Sequence, residues 1–178
     1  MNNRFIVVVL VVAVVLGVLY FTSLKAKNET PIQATELNTQ EVWQEQTVDE
    51  IGLSFKYPKD LVFRKEIADD GGTIRTVGFF LTKGPESNPE YQLYGLFQQF
   101  KDATEQDLEL SKTEMDPDTI KDATIDGYSG MEGLILGEKT RYITIVLKDG
   151  KNFSVSTTPP TSENKELTDK IIKTFDFQ

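Results

Sequence analysis

Residues 5–21 read FIVVVLVVAVVLGVLYF, seventeen positions without a charge, whereas beyond residue 42 apolar residues come in alternation or at helical spacing. The two textures predict two environments. With residues 22–24 the apolar run reaches the about 20 residues, roughly 30 Å as a helix, that cross a bilayer core. A cleaved secretory signal usually has a shorter apolar region, about 7–15 residues, closed by a small-x-small site. The flank TSLKAKN offers no good pair of that kind. Residues 1–24 therefore read as an uncleaved signal anchor, with a cleaved signal or a buried core helix as the alternatives. Arg4 and the terminal amine favour a cytoplasmic N-terminus against Lys25 and Lys27 on the other flank. The expectation is a single-pass protein of the cell membrane with its domain outside the cytoplasm.

Residues 25–41, KAKNETPIQATELNTQE, hold almost no large apolar side chain and cannot repay the entropy of ordering, so they read as a polar linker. Trp43 and Val48 open the folded part, residues 42–178. In IGLSFKYPKD, Leu53, Phe55 and Tyr57 alternate with Ser54 and Lys56, the period of a half-buried strand, and Pro58 ends it. Residues 61–66 predict a second strand, 68–72 (ADDGG) a turn, 73–82 a third strand and 91–100 an aromatic-rich fourth. Residues 102–115 predict a helix opened by an Asp102-x-x-Glu105 cap and stopped by DPDT at 116–119. Three more strands are expected, at 124–136, 140–147 and 152–157, the last two joined through Asp149-Gly150, a strong hairpin signal. A closing helix over 162–175 places Leu167, Ile171, Ile172 and Phe175 on one face, with Ser162 as its cap. Strands in antiparallel runs, with helices inserted and appended, give an α+β fold: an antiparallel β-sheet flanked by helices.

Composition narrows the chemistry. The chain has no cysteine, which removes disulfides, thiol catalysis, thiolate zinc sites and a lipid-modified cysteine after the apolar run. It has no histidine, the usual general base near neutral pH. Beyond the apolar run 28 acidic residues stand against 18 basic ones, a formal −10, with no basic stripe to meet phosphates, so nucleic acid is not an expected partner.

Serine candidates are weak for stated reasons. In IDGYSGMEG, Met131 occupies the place where a nucleophile elbow needs its second glycine, and no histidine exists to take a proton from Ser129. Residues 125–136 are expected to be a turn and a strand, with Ser129 unpartnered by any base. Ser162 and Lys165 have S-x-x-K spacing, without the companion S-D-N and K-T-G motifs. The carboxylates at Asp69, Asp70, Asp116, Asp118 and Glu132 fit turns and caps better than a calcium loop, because DPDTIKD breaks the ligand pattern. Gly133 and Gly137 imitate a membrane dimer motif but lack its apolar context. No cofactor, metal or catalytic residue is therefore expected. Trp43, Tyr91, Tyr94 and Phe97 are more often core than surface, yet they are the best candidates for a partner surface if the strands leave some of them exposed.

GLSFKYP, IDGYSG, YITIVLKDGKNFSVST and the final IIKTFDF together resemble the Mog1/PsbP-like superfamily, in particular its small membrane-tethered bacterial members, over about residues 43–177. The resemblance implies an antiparallel sheet flanked by helices. It also implies a module that binds a partner, as relatives do with a photosystem or a small GTPase. It carries over no functional residue, because the matched positions read as core and turn. The expected task is protein interaction or a structural role, with an envelope sensor or small-ligand or cation-binding module as the alternative.

Overall fold

The computed structural model of the protein describes residues 41–178. The expected anchor, residues 1–24, and all but the last residue of the expected linker lie outside the described residues. Among the described residues no helix is long and apolar enough to cross a membrane.

The chain forms β1 (Trp43–Val48), β2 (Leu53–Pro58), β3 (Val62–Asp70), β4 (Thr73–Lys83) and β5 (Tyr91–Asp102). Helix α1 (Glu105–Lys112) precedes β6 (Lys121–Ile125), β7 (Tyr128–Ile135), β8 (Arg141–Lys148) and β9 (Lys151–Thr158). Helix α2 (Ser162–Ile172) and the short β10 (Asp176–Phe177) end it. Seven strands make one antiparallel sheet in the order β3-β4-β5-β9-β8-β7-β6, and β1-β2-β10 make a second. The α+β class read from the sequence is the architecture observed.

Alternation decides what each face meets. Leu53, Phe55 and Tyr57 of β2 join Val77, Phe79 and Leu81 of β4 and the inward residues of β5 and β9 in the main core. Helix α2 adds Ile171 to this layer. Phe55 stacks on Phe79 with ring centres 5.1 Å apart and meets Phe175 at 5.2 Å. Each such side chain, fully buried, contributes about 1.5–3 kcal/mol. Gly95 is required here: a Cβ on it would stand 2.3 Å from the Phe79 ring, which lies across its backbone. On the opposite face, α1 covers only the β6–β8 half, where Leu108, Met115, Met131 and Ile145 form a second, smaller core.

Several elements depart from the pattern reading. The expected strand at 124–136 is two strands, because Asp126 (φ 47°) and Gly127 (φ 81°) form a tight turn in which β6 folds onto β7. Two successive positive φ values suit the right-handed twist of a hairpin, and Asp149-Gly150 does the same between β8 and β9. Asp102 does not cap α1; it ends β5 and pairs with Lys151 at 2.6 Å. The cap is Thr104, whose N–H donates to the Asp107 carboxylate at 2.8 Å. Ser162 likewise yields to Thr161, whose hydroxyl accepts the Asn164 N–H at 3.2 Å, and the helix stops at Ile172 so that Phe175 can turn into the core. β10, only two residues long, is anchored from outside its sheet: the Asp126 carboxylate accepts the Phe177 N–H at 2.8 Å.

Candidate functional site

The four aromatic candidates do not share a face. Tyr91 and Phe97 point into the main core, 2% and 8% exposed. The Tyr91 hydroxyl meets Thr168 of α2 at 2.9 Å, and Thr157 of β9 donates to the same Thr168 oxygen at 2.8 Å. Burial raises the Tyr91 phenol well above its ordinary pKa. These hydroxyls lock α2 onto β5 and β9, so Tyr91 has a packing role. Trp43 is half-buried against the same core from the smaller sheet. Only Tyr94 stands on the outer face of the large sheet, because it is one residue out of phase with Leu93 and Gly95.

Among the described residues no element covers that outer face over β3, β4, β5 and β9. Register places Arg64, Phe80 and Tyr94 side by side on three adjacent strands. The Arg64 guanidinium sits 4.6 Å above the Phe80 ring, and Phe80 stacks on Tyr94 at 4.4 Å with planes 20° apart. Val62, at the edge of the same face, is 66% exposed. The stack is possible because Gly78 leaves room: a Cβ there would lie 3.1 Å from the Tyr94 ring.

Next to the stack lies a cleft of about 660 Å³. Its floor is Gln92 and Tyr94 of β5 with Ser156 and Thr158 of β9. One wall is the turn 86–89 between β4 and β5, the other the segment 138–141 that enters β8. Phe80 covers one face of the Tyr94 ring, so the opposite face looks toward β9 and the cleft. Burial, followed by the charge of Glu66, raises the Tyr94 phenol, which keeps it neutral and able to donate. Arg141 is half-buried in the wall; its guanidinium donates to the Lys139 carbonyl at 3.2 Å and has no carboxylate partner among the described residues. Arg64 and Arg75 are both paired, with Glu66 and Asp70.

A second polar cluster lies beneath α2. Glu132 of β7 is buried and accepts from Lys121 at 2.6 Å and from Lys165 at 3.0 Å, while Lys165 also pairs with Asp169. Burial pushes the Glu132 carboxyl up, but the two lysines outweigh it and hold it below the usual glutamate range. The hydrogen bond and charge of Glu132 in turn raise Lys121. Every strong charge in this cluster is paired within it, so it reads as a clamp between β6, β7 and α2. The S-x-x-K pair is separated by this arrangement: Ser162 is exposed, and Lys165 is turned inward to its carboxylates. Ser129 is exposed on β7. Among the described residues no three His, Cys, Asp or Glu side chains are grouped to hold a metal ion. Asp116 instead accepts the Asp118 N–H at 3.2 Å in a turn.

No family model matches the sequence, and no curated protein matches it. Among solved structures, the solution structure of cyanobacterial PsbP (CyanoP) from Synechocystis sp. PCC 6803 superimposes with a TM-score of 0.50 at 12% identity, over 78% of this chain and 94% of that one. The fold is Mog1/PsbP-like. A crystal structure from Bacteroides thetaiotaomicron VPI-5482 also matches, at 15% identity and a TM-score of 0.46, over 71% of this chain; the chain spans 45% of that structure's length. At these identities the likeness is one of fold. The likeness extends to the scaffold alone; the stack and the cleft belong to this chain's own side chains.

Proposed function

We propose that the chain is a membrane-anchored, non-catalytic interaction module, with its Mog1/PsbP-like domain outside the cytoplasm and a protein partner docked on the uncovered half of the large sheet. The observation that carries this is the exposed row of Val62, Arg64, Phe80 and Tyr94, apolar and cationic, on a face whose other half is sealed by α1. Aromatic and arginine side chains are what partner surfaces concentrate. The apolar run at residues 5–21 and the polar stretch behind it support tethering, and the lack of histidine and cysteine supports a binding task over catalysis. The test is a photoreactive residue at position 80 of the full-length chain in native membranes, with position 110 on exposed Leu110 as control. A discrete crosslinked product from position 80 and none from position 110 is expected; equal labelling from both, or none, removes the reading. Protease added to intact spheroplasts is expected to degrade the domain, and protection would place it on the wrong side.

The cleft favours a second reading, a small-ligand site beside the docking face. Its roughly 660 Å³ lie within the range of ligand pockets, about 300–1,000 Å³, and its lining sets polar side chains beside one aromatic ring.

A further inference from the structure

We propose that the cleft binds a saccharide carrying a carboxylate, with a sugar ring on the free face of Tyr94 and the carboxylate on Arg141. The inference rests on the ligand-binding reading of the cleft and adds the class of ligand. Four features favour this chemistry. The first is the ring: Tyr94 is stacked on Phe80 and packed over Gly78, so it offers a preformed platform that lowers the cost of ordering on binding. The second is the floor, in which the Gln92 amide and the Ser156 and Thr158 hydroxyls surround that ring with neutral donors and acceptors, the complement of a polyhydroxylated ligand. The third is Arg141, whose planar fork matches a carboxylate and which forms no ion pair among the described residues.

The fourth is topological. An extended peptide would bind most readily by adding to a free strand edge. Here both floor strands are interior, β5 between β4 and β9, and β9 between β5 and β8, so no backbone edge faces the cleft. The carboxylates of Glu86 and Glu138 on the two walls can accept sugar hydroxyls but repel a densely charged polyanion. One carboxylate on a neutral sugar framework satisfies both. The reach is also suitable: β5 and β8 are two strands apart and Arg141 lies two residues along from the row of Tyr94, a diagonal of roughly 12 Å between backbones that the long arginine side chain shortens, so the two can hold neighbouring units of a disaccharide.

The experiment uses the full-length chain in nanodiscs, titrated by calorimetry with a disaccharide ending in glucuronic acid, the matching neutral disaccharide, and an acidic tripeptide. Binding of the acidic sugar at least about tenfold tighter than either competitor is expected, because the neutral disaccharide lacks the charge-assisted bond to Arg141 and the tripeptide lacks a sugar ring for the Tyr94 face. Arg141→Gln at unchanged Tm, and Tyr94→Ala with a Tm lowered by the few degrees that loss of the Phe80 stack implies, are each expected to weaken it tenfold or more. Arg141→Lys keeps the charge and loses the fork, and is expected to fall between; it also serves if Arg141→Gln does not fold. Equal binding of the neutral sugar, tighter binding of the peptide, acidic-sugar binding that survives Arg141→Gln, or no sugar binding at all would each overturn the proposal. The crosslink from position 80 reads the docking face separately, so either idea can fail while the other stands.

Discussion

Phe79 and Phe80 are consecutive residues of β4, identical in chemistry and opposite in circumstance. Phe79 has no exposed surface; its ring packs on Phe55, Phe63 and Phe175 and lies across Gly95. Phe80 is half-exposed between Arg64 and Tyr94 on a face that nothing covers among the described residues. The difference separates what holds the fold from what the fold presents. Side chains on the inner face lose cavity energy when cut back, because their neighbours are fixed by two sheets and a helix. Those on the outer face lose only stacking with their immediate neighbours.

The largest test of this contrast is Phe79→Ala. It should destabilise the domain by about 3–5 kcal/mol, the range for phenylalanine truncation in a packed core, as measured by urea unfolding. A loss below about 1.5 kcal/mol would mean the inner layer is loosely packed and the contrast between the faces is false.

Glu132→Gln probes the buried charge on the same inner side. Two lysines would lose their shared carboxylate, and a cost of about 1–3 kcal/mol is expected at neutral pH. The pH dependence has a definite sign. Because the folded Glu132 carboxyl titrates below its ordinary value of 4.5, its contribution is complete above that pH and is lost as the pH falls through the folded value. Unfolding followed from pH 7 downward should therefore show wild type losing more stability below about pH 4.5 than Glu132→Gln does. Parallel curves would show that the clamp does not sense this carboxylate.

Tyr91→Phe removes one hydroxyl from the chain that joins β5, α2 and β9, and should cost about 1 kcal/mol. It sharpens the comparison, since Tyr91 and Tyr94 are three residues apart on β5 and face opposite ways. The position 80 crosslink should be unchanged by Tyr91→Phe; a weakened crosslink would give Tyr91 a part in recognition.

The inner layer was legible in the sequence because a covered face leaves a period of two, as in Leu53, Phe55 and Tyr57. The outer face was not. β5 carries Tyr91, Leu93 and Phe97 on one side and Tyr94 and Leu96 on the other, so alternation alone cannot say which set is sealed. That is decided by α1, which packs on β7 and β8 and leaves the outer side of β5 open among the described residues. Glu132 and Lys165 are 33 positions apart and meet only through the register of β7 and the docking of α2, so no local spacing marks them as a buried ion pair. Arg141 escaped for a similar reason: its solitude depends on which loops wall the cleft. The turn and strand expected over 125–136 are present as Asp126-Gly127 and β7; the strand before the turn, β6, carries the same hairpin dipeptide signal as Asp149-Gly150, but Lys121–Ile125 is too short and polar to show an alternation of its own.

The smallest effect, and the one that most sharpens the contrast, is expected from Phe80→Ala. The ring loses its stacking on Tyr94 and its cation–π contact with Arg64, two terms of about 0.5–1.5 and 0.5–1 kcal/mol at a partly wet site. Truncation leaves Arg64 paired with Glu66 and opens the half-exposed site to water instead of leaving a sealed cavity, so a net loss of about 1 kcal/mol or less is expected in urea unfolding. Function should respond in the opposite proportion. Tyr94 would no longer be held upright, and the acidic disaccharide should bind several-fold more weakly to a domain that is nearly as stable as wild type. If Phe80→Ala instead unfolds the domain as severely as Phe79→Ala, the outer face is part of the core, and the surface from which recognition has been argued does not exist as such.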